Sequence, residues 1–172
     1  MIRFASLATV AGLLIATPAF SAPGDKTDAA LLDPTGQPAG SLVLMEEAEG
    51  LTISGQAKGL TPGVHAIHIH EVGKCEPPFK SAGGHFNPTG KKHGRDNPEG
   101  SHLGDLSNIT VGTDGTIRVI AEGLALDRGP DGLFDADGSS IVIHAKADDY
   151  KTDPTGNSGD RVICGVIEPL PE

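Results

Sequence analysis

Gly63-Val64-His65-Ala66-Ile67-His68-Ile69-His70-Glu71 alternates isoleucine with histidine. Alternation at period two is the pattern of a β-strand, whose successive side chains point to opposite faces. Read this way, Ile67 and Ile69 face a core. His68 and His70 sit side by side on the other face, at a spacing that lets two imidazoles reach one ion. A core gains little from neighbouring imidazoles, because each brings polar nitrogens that must find partners. H-x-H alone also fits a half-exposed strand with surface histidines, so the rest of the chain has to decide.

Upstream, residues 29–33 are apolar and end at Pro34-Thr35-Gly36, a turn signal. Residues 41–47 read as a strand, Glu49-Gly50 as a turn, and 51–57 alternate again before Leu60-Thr61-Pro62-Gly63. This is an antiparallel meander. From Val72 to Asp105 periodicity stops, in a segment rich in Gly, Pro, Lys, Asn and Asp. A structureless stretch that long in a small domain is functional or disordered, and its histidines favour the first. Residues 106–113 and 116–121 flank the hairpin signal Asp114-Gly115. Asp135-Ala136-Asp137-Gly138 lacks the closing acidic ligand of a calcium loop and reads as a turn. Residues 140–145 form a strand with His144, 146–160 a second irregular loop, and 161–168 the last strand, with Cys164. Asn108-Ile109-Thr110 fits a glycosylation triplet. No repeat and no amphipathic helix stands out.

The chain has 172 residues, 24 Gly, 13 Pro, no Trp and 3% aromatics, which suits one domain of short strands with an aliphatic core. Its start reads as an export signal. Arg3 precedes an apolar run, and Ala19-Phe20-Ser21 resembles a cleavage site, so residues 1–21 are expected to be a leader and 22–172 the mature domain. Cys75 and Cys164, the two cysteines of an exported chain, read as one disulfide. It would close a loop of about 90 residues, for which the chain-entropy account gives roughly 4–5 kcal/mol. Net charge is −10, and loss of Arg3 with the leader makes it −11. That argues against nucleic acid and anionic lipid as partners.

The seven histidines are His65, His68, His70, His85, His93, His102 and His144, and all fall in or beside strand ends and the long loop. Asp105 stands three residues after His102. Six imidazoles and a carboxylate exceed the need of one ion. Zinc takes four N, S or O ligands, and copper(II) favours imidazole nitrogens. His68, His70 and His144 on strands would make a nitrogen-only copper site. His93, His102 and Asp105 on the loop would make a zinc site. His85 is left over and could bridge the two through both ring nitrogens.

These residues resemble the copper/zinc superoxide dismutases over about residues 27–167. The motifs, in family order, are His65–Glu71, Gly84-His85-Phe86-Asn87-Pro88, Lys92-His93-Gly94, His102-Leu103-Gly104-Asp105-Leu106, Val142–Asp149 and Gly156–Val166. The resemblance implies an all-β Greek-key sandwich, a flattened eight-stranded barrel with two long functional loops. It implies one copper per chain on His68, His70, His85 and His144, and one zinc on His85, His93, His102 and Asp105. It implies a Cys75–Cys164 bridge tying the metal loop to the barrel. Asp148 would link a copper histidine to a zinc histidine, and His65 would pin the loops without binding metal. Arg161 would guide the superoxide anion. The implied reaction yields dioxygen and hydrogen peroxide as histidine-bound copper is alternately reduced and reoxidised beside a structural zinc, with His85 carrying a proton. The nearest competing readings are a copper-storing envelope protein and an adhesion module.

The sequence departs from the commoner pattern in three places. Glu76-Pro77-Pro78-Phe79-Lys80 lengthens the loop before His85, which bears on any homodimer contact made there. Pro154 stands where many members have a lysine, leaving Lys146 and Lys151 as candidates to steer the anion. The leader points to a periplasmic or secreted form with no membrane partner after cleavage.

Overall fold

Nine strands form among the described residues, which are 21–129 and 132–170 of the computed structural model. The expected leader lies outside them apart from residue 21. In chain order the strands are β1 (Lys26–Leu32), β2 (Pro38–Glu47), β3 (Gly50–Ala57), β4 (Gly63–His65), β5 (Ile67–His70), β6 (Ile109–Val111), β7 (Thr116–Glu122), β8 (Ser140–His144) and β9 (Arg161–Ile167). One 3-10 turn, η1 (Lys80–Ala82), interrupts the first long loop. No described helix is long and apolar enough to cross a membrane.

Seven strands pair antiparallel in the order β5-β8-β9-β1-β2-β3-β7, and β4 pairs with β6. The all-β antiparallel architecture is as expected; its strands group as a curled seven-stranded half-barrel with a two-stranded annex rather than as eight in one barrel. The last strand returns beside the first, Ala29 opposite Ile167 and Leu32 opposite Cys164, as Greek-key connections require. Along β7 the burial alternates strictly, the signature of a strand with one wet face. The main core is aliphatic, with Leu42, Leu44, Ile53, Ile67, Ile69, Ile117, Ile141 and Ile163 at its centre. A second cluster buries Phe79 and Ala82 against Val142 and Cys164. Cys75 and Cys164 are bonded, so that cluster and the covalent link together hold the first long loop on β8 and β9.

The histidine stretch is not one strand. It breaks at Ala66, whose N–H donates to Lys146 and whose carbonyl accepts from His144 N–H. β4 therefore pairs with β6, while β5 pairs with β8, Ile67 opposite Ile143 and His68 opposite Val142. Ile67 and Ile69 enter the core as their alternation requires. His68 and His70 are equally buried, so the half-exposed alternative fails. Segments of the long loop cover their face. Phe86 N–H donates to Ile69, Ile69 N–H to Gly104, and Gly104 N–H to Phe86. Residues 72–105 are irregular yet tied down: Phe86 and Gly104 pair with β5, Gly73 with Asp137, Asp96 with Tyr150, and others with one another, as Val72 does with Ala82 and Lys92 with Glu99. The strand expected over 106–113 shrinks to Ile109–Val111, since Asn108 N–H leaves the ladder to bond the Tyr150 hydroxyl.

Candidate metal centre

β5 supplies His68 and His70 on one face, and the end of β8 supplies His144. The ladder slips between Ile143 and His144, which sets His144 opposite Arg161. Such irregularities re-aim a side chain. His85 bridges to His70 through the backbone, and Asp105 to His68. The long loop thereby delivers both residues to the open edge of β5. The His85 ring lies 4.0 Å from that of His68 and 5.0 Å from that of His70, centroid to centroid.

For His68, His70 and His144 the hydrogen bonds fix which ring nitrogen carries the proton, because each partner is an oxygen that can only accept. His70 Nδ1–H donates to Gly83 O at 3.1 Å, and His144 Nδ1–H to Gly159 O at 3.3 Å. His68 Nε2–H donates to Asp148 Oδ2 at 2.8 Å. His85 Nδ1 contacts Asp105 Oδ1 at 2.8 Å. The opposite nitrogens are His68 Nδ1, His70 Nε2, His85 Nε2 and His144 Nε2. All four are buried, and none has a hydrogen-bond partner among the described residues. One donor atom from each of these residues lies within 4.8 Å of the others. Four buried lone pairs aimed at one place fit a cation of nitrogen preference, and little else would satisfy them.

A second group shares His85. His85, His93 and His102 each bring Nδ1 to Asp105 Oδ1, at 2.8, 2.9 and 3.1 Å. Asp105 Oδ2 is held by the N–H groups of Gly94 and His102. Three nitrogens and one oxygen within 4.8 Å of one another match in number and type the four donors that zinc takes. Asp148 spans the two groups. Its Oδ1 accepts from His93 Nε2 at 3.0 Å while its Oδ2 accepts from His68.

Electrostatics follow from burial and partners. Burial, then the neighbouring His85 and Arg161, push His70 well below the usual imidazole range. Burial and then His68 lower His144 to about 3. Burial lowers His85 to about 4 against the opposing pull of Asp105. These rings are neutral near pH 7, the form that binds metals. His93 is raised to about 9: burial opposes this, but the Asp105 and Asp148 carboxylates outweigh it. Both carboxylates sit well below their usual range despite burial, since histidines and backbone N–H groups surround them. A buried anionic pair that recruits positive charge suits a divalent ion.

His65 stands apart. Its two ring nitrogens contact the carbonyls of His144 at 2.7 Å and Thr61 at 2.8 Å, so it links β4 to β8 and has no nitrogen for a metal. Arg161 donates from Nη1 to Phe79 O and from Nη2 to Gly83 O, both at 2.7 Å. Residues that the sequence reading passed over complete the frame. Asn108, noted only as a glycosylation triplet, donates from Nδ2 to Asp148 O and accepts Asp148 N–H at Oδ1. Arg95 lies 3.7 Å over the Tyr150 ring, tying the first loop to the second. Gly156 has no side chain because Asp148 and His93 fill the space where its Cβ would go. Nothing in the sequence marks these roles, which depend on loops distant in the chain.

Comparison with known proteins agrees with this arrangement. Residues 39–167 match the family described as copper/zinc superoxide dismutase. Superoxide dismutase [Cu-Zn] 2 of Aquifex aeolicus is 46% identical over 163 residues, covering 92% of this chain and 95% of that one. An extracellular superoxide dismutase [Cu-Zn] of Brugia pahangi is 41% identical over 138 residues, 74% of this chain and 68% of that one. The crystal structure of a SOD-like protein from Bacillus subtilis superposes with a TM-score of 0.77 at 42% identity, covering 87% of this chain and all of that one. With its strands, its two histidine groups and these relatives all in agreement, the chain belongs to the copper/zinc superoxide dismutase family.

Proposed function

We propose that this protein dismutes superoxide, with copper held by His68, His70, His85 and His144 and zinc by His85, His93, His102 and Asp105. The observation that carries the assignment is the set of four unpartnered buried imidazole nitrogens, one of them on a histidine whose other nitrogen belongs to the Asp105 group. Copper bound there supplies one-electron chemistry between two oxidation states, and zinc a fixed positive charge. The balanced reaction takes two superoxide anions and two protons to one dioxygen and one hydrogen peroxide.

The chain's own residues provide the rest. Arg161 is permanently charged and presents a fork of donors, so it holds the anion beside His70 and His144. Its own hydrogen bonds to Phe79 and Gly83 keep that fork in place. His85 Nε2 can carry a proton when it is free and release it to the departing peroxide, while Nδ1 stays engaged near Asp105. Asp148 fixes the ring orientations of His68 and His93 together. His65 holds β4 against β8 beneath the site.

We also assign residues 1–21 to a cleaved leader and residues 22–172 to the mature domain, in a periplasmic or secreted setting. The Cys75–Cys164 bond and the extracellular relative support an exported form. Purified mature protein should contain one copper and one zinc per chain and should consume superoxide catalytically. A metal-loaded preparation without that activity would refute the function, and a single metal per chain would refute the paired sites.

A further inference from the structure

A cleft of about 700 Å³ lies between the outer side of β7 and the loop that carries His102 and Asp105, with Arg95, Arg118 and Glu122 among its lining residues. We propose that zinc leaves and enters its site through this cleft, exchanged with a small polycarboxylate chelator that Arg95 and Arg118 hold beside His102, a role that rests on the zinc assignment above.

The zinc group is nearly closed to solvent. The side chains of His85 and His93 are 0% exposed, while those of His102 and Asp105 are 8% and 4% exposed. His102 and Asp105 line this cleft, and His85 and His93 do not. A separate cleft of about 570 Å³, beside Asp160 and Arg161, includes no residue of the zinc group. An incoming ligand therefore meets His102 and Asp105 first. Asp105 is the harder of the two to displace, because its Oδ2 is held by the N–H groups of Gly94 and His102. The His102 ring has no such anchor. Its Nδ1 faces only Asp105 and His85, both of the zinc group, whereas His93 is also held by Asp148. His102 is the donor that yields to an incoming carboxylate.

Charge at the opening selects the partner. Arg118 comes from β7, on the face that alternation turns outward. Arg95 comes from the loop, its guanidinium 3.7 Å over the Tyr150 ring and its Nη1 donating to Ser107 Oγ at 3.1 Å. Neither arginine makes an ion pair among the described residues. Glu122 is the one acidic lining residue besides Asp105. The opening is therefore locally positive on a protein of net charge −10, and a local field of this kind governs which small ion is drawn in. Guanidinium forks match carboxylate geometry, and the same charges repel a bare dication. A carboxylate chelate of zinc meets both conditions.

The test uses the full chain loaded with copper and zinc, as wild type, R118Q, R118E and E122Q, with D160N as a charge change at the other cleft. Each is held with excess nitrilotriacetate, which is anionic, or with the uncharged chelator tetrakis(2-pyridylmethyl)ethylenediamine. Zinc and copper left per chain are measured by element analysis at timed intervals. Zinc loss to nitrilotriacetate should rise with chelator concentration. At low salt it should slow about 3- to 10-fold in R118E, with R118Q between R118E and wild type, quicken in E122Q and stay unchanged in D160N, the differences shrinking as salt rises. Loss to the uncharged chelator should be alike in all five proteins. An R118E protein that loses zinc to nitrilotriacetate at the wild-type rate overturns the route. So does an equal change with both chelators, which marks a loosened site, or a D160N effect as large as that of R118Q. A wild-type chain without zinc at the start refutes the zinc assignment, and the route with it, whereas a zinc-bearing chain without the charge series refutes the route alone.

Discussion

Replacing Asp148 with asparagine keeps the shape of the side chain and removes one acceptor. In the native protein Oδ1 accepts from His93 Nε2–H at 3.0 Å and from Tyr150 N–H at 2.7 Å, and Oδ2 accepts from His68 Nε2–H at 2.8 Å. Asparagine satisfies two donors with its oxygen only on the Oδ1 side. Its NH₂ then meets His68 Nε2–H, donor against donor, in a fully buried place. His68 escapes the clash by moving its proton to Nδ1, the nitrogen that faces His70, His85 and His144. The copper group then loses one lone pair of four. A buried donor left without a partner costs about 1–3 kcal/mol, or about 5- to 150-fold in an equilibrium. Loss of a carboxylate behind a metal-binding histidine costs about 10- to 100-fold in metal affinity, in the same range. D148N should therefore bind copper about 10- to 100-fold more weakly. Its zinc affinity should change far less, because His93 keeps its acceptor. Competition titrations with chelators of known affinity, one metal at a time, measure both. Copper affinity of D148N within about twofold of wild type would show that Asp148 does not set the His68 tautomer, and the reasoning would fail.

Three further outcomes are expected. Arg161→Ala should lower the superoxide rate constant about tenfold or more with copper and zinc content unchanged, since in the proposed mechanism the guanidinium holds the anion and supplies no metal ligand; unaltered turnover removes Arg161 from the mechanism. Gly156→Ala places a Cβ into Asp148 and His93 at a residue with φ +62°, so it should weaken zinc retention and lower thermal stability, while Gly90→Ala, with open space at a similar φ, should show only the backbone strain. After chelation, stability should fall on both sides of neutrality. His70, His85 and His144 are depressed in the fold, so the unfolded chain binds more protons below about 6.5 and stability drops as pH falls toward 4. His93 is raised to about 9, so its contribution is complete below about 6.5 and is lost as pH rises through 9. Thermal denaturation of the chelated protein across that range measures this, and a flat profile from pH 4 to 6.5 contradicts it.

Much of the site was legible in the chain. Period-two alternation placed Ile67 and Ile69 in the core and set His68 beside His70, because a strand's faces are a property of local backbone geometry. Donor chemistry sorted the strand histidines from the loop group of His93, His102 and Asp105, since ligand preference belongs to residue type. The chain holds two cysteines, and they form the Cys75–Cys164 bond. Tertiary structure alone decided three things. It broke the histidine strand at Ala66, because pairing partners come from β6 and β8, far along the chain. It chose the proton-bearing nitrogen of each ring, because that depends on which carbonyl or carboxylate lies opposite: Gly83 for His70, Gly159 for His144, Asp148 for His68. It also tied Arg161 to the carbonyls of Phe79 and Gly83, which lie 82 and 78 residues earlier in the chain. Local patterns specify which face a side chain takes, whereas the contacts between loops that fix protons, charges and clefts arise only when distant segments close on one another.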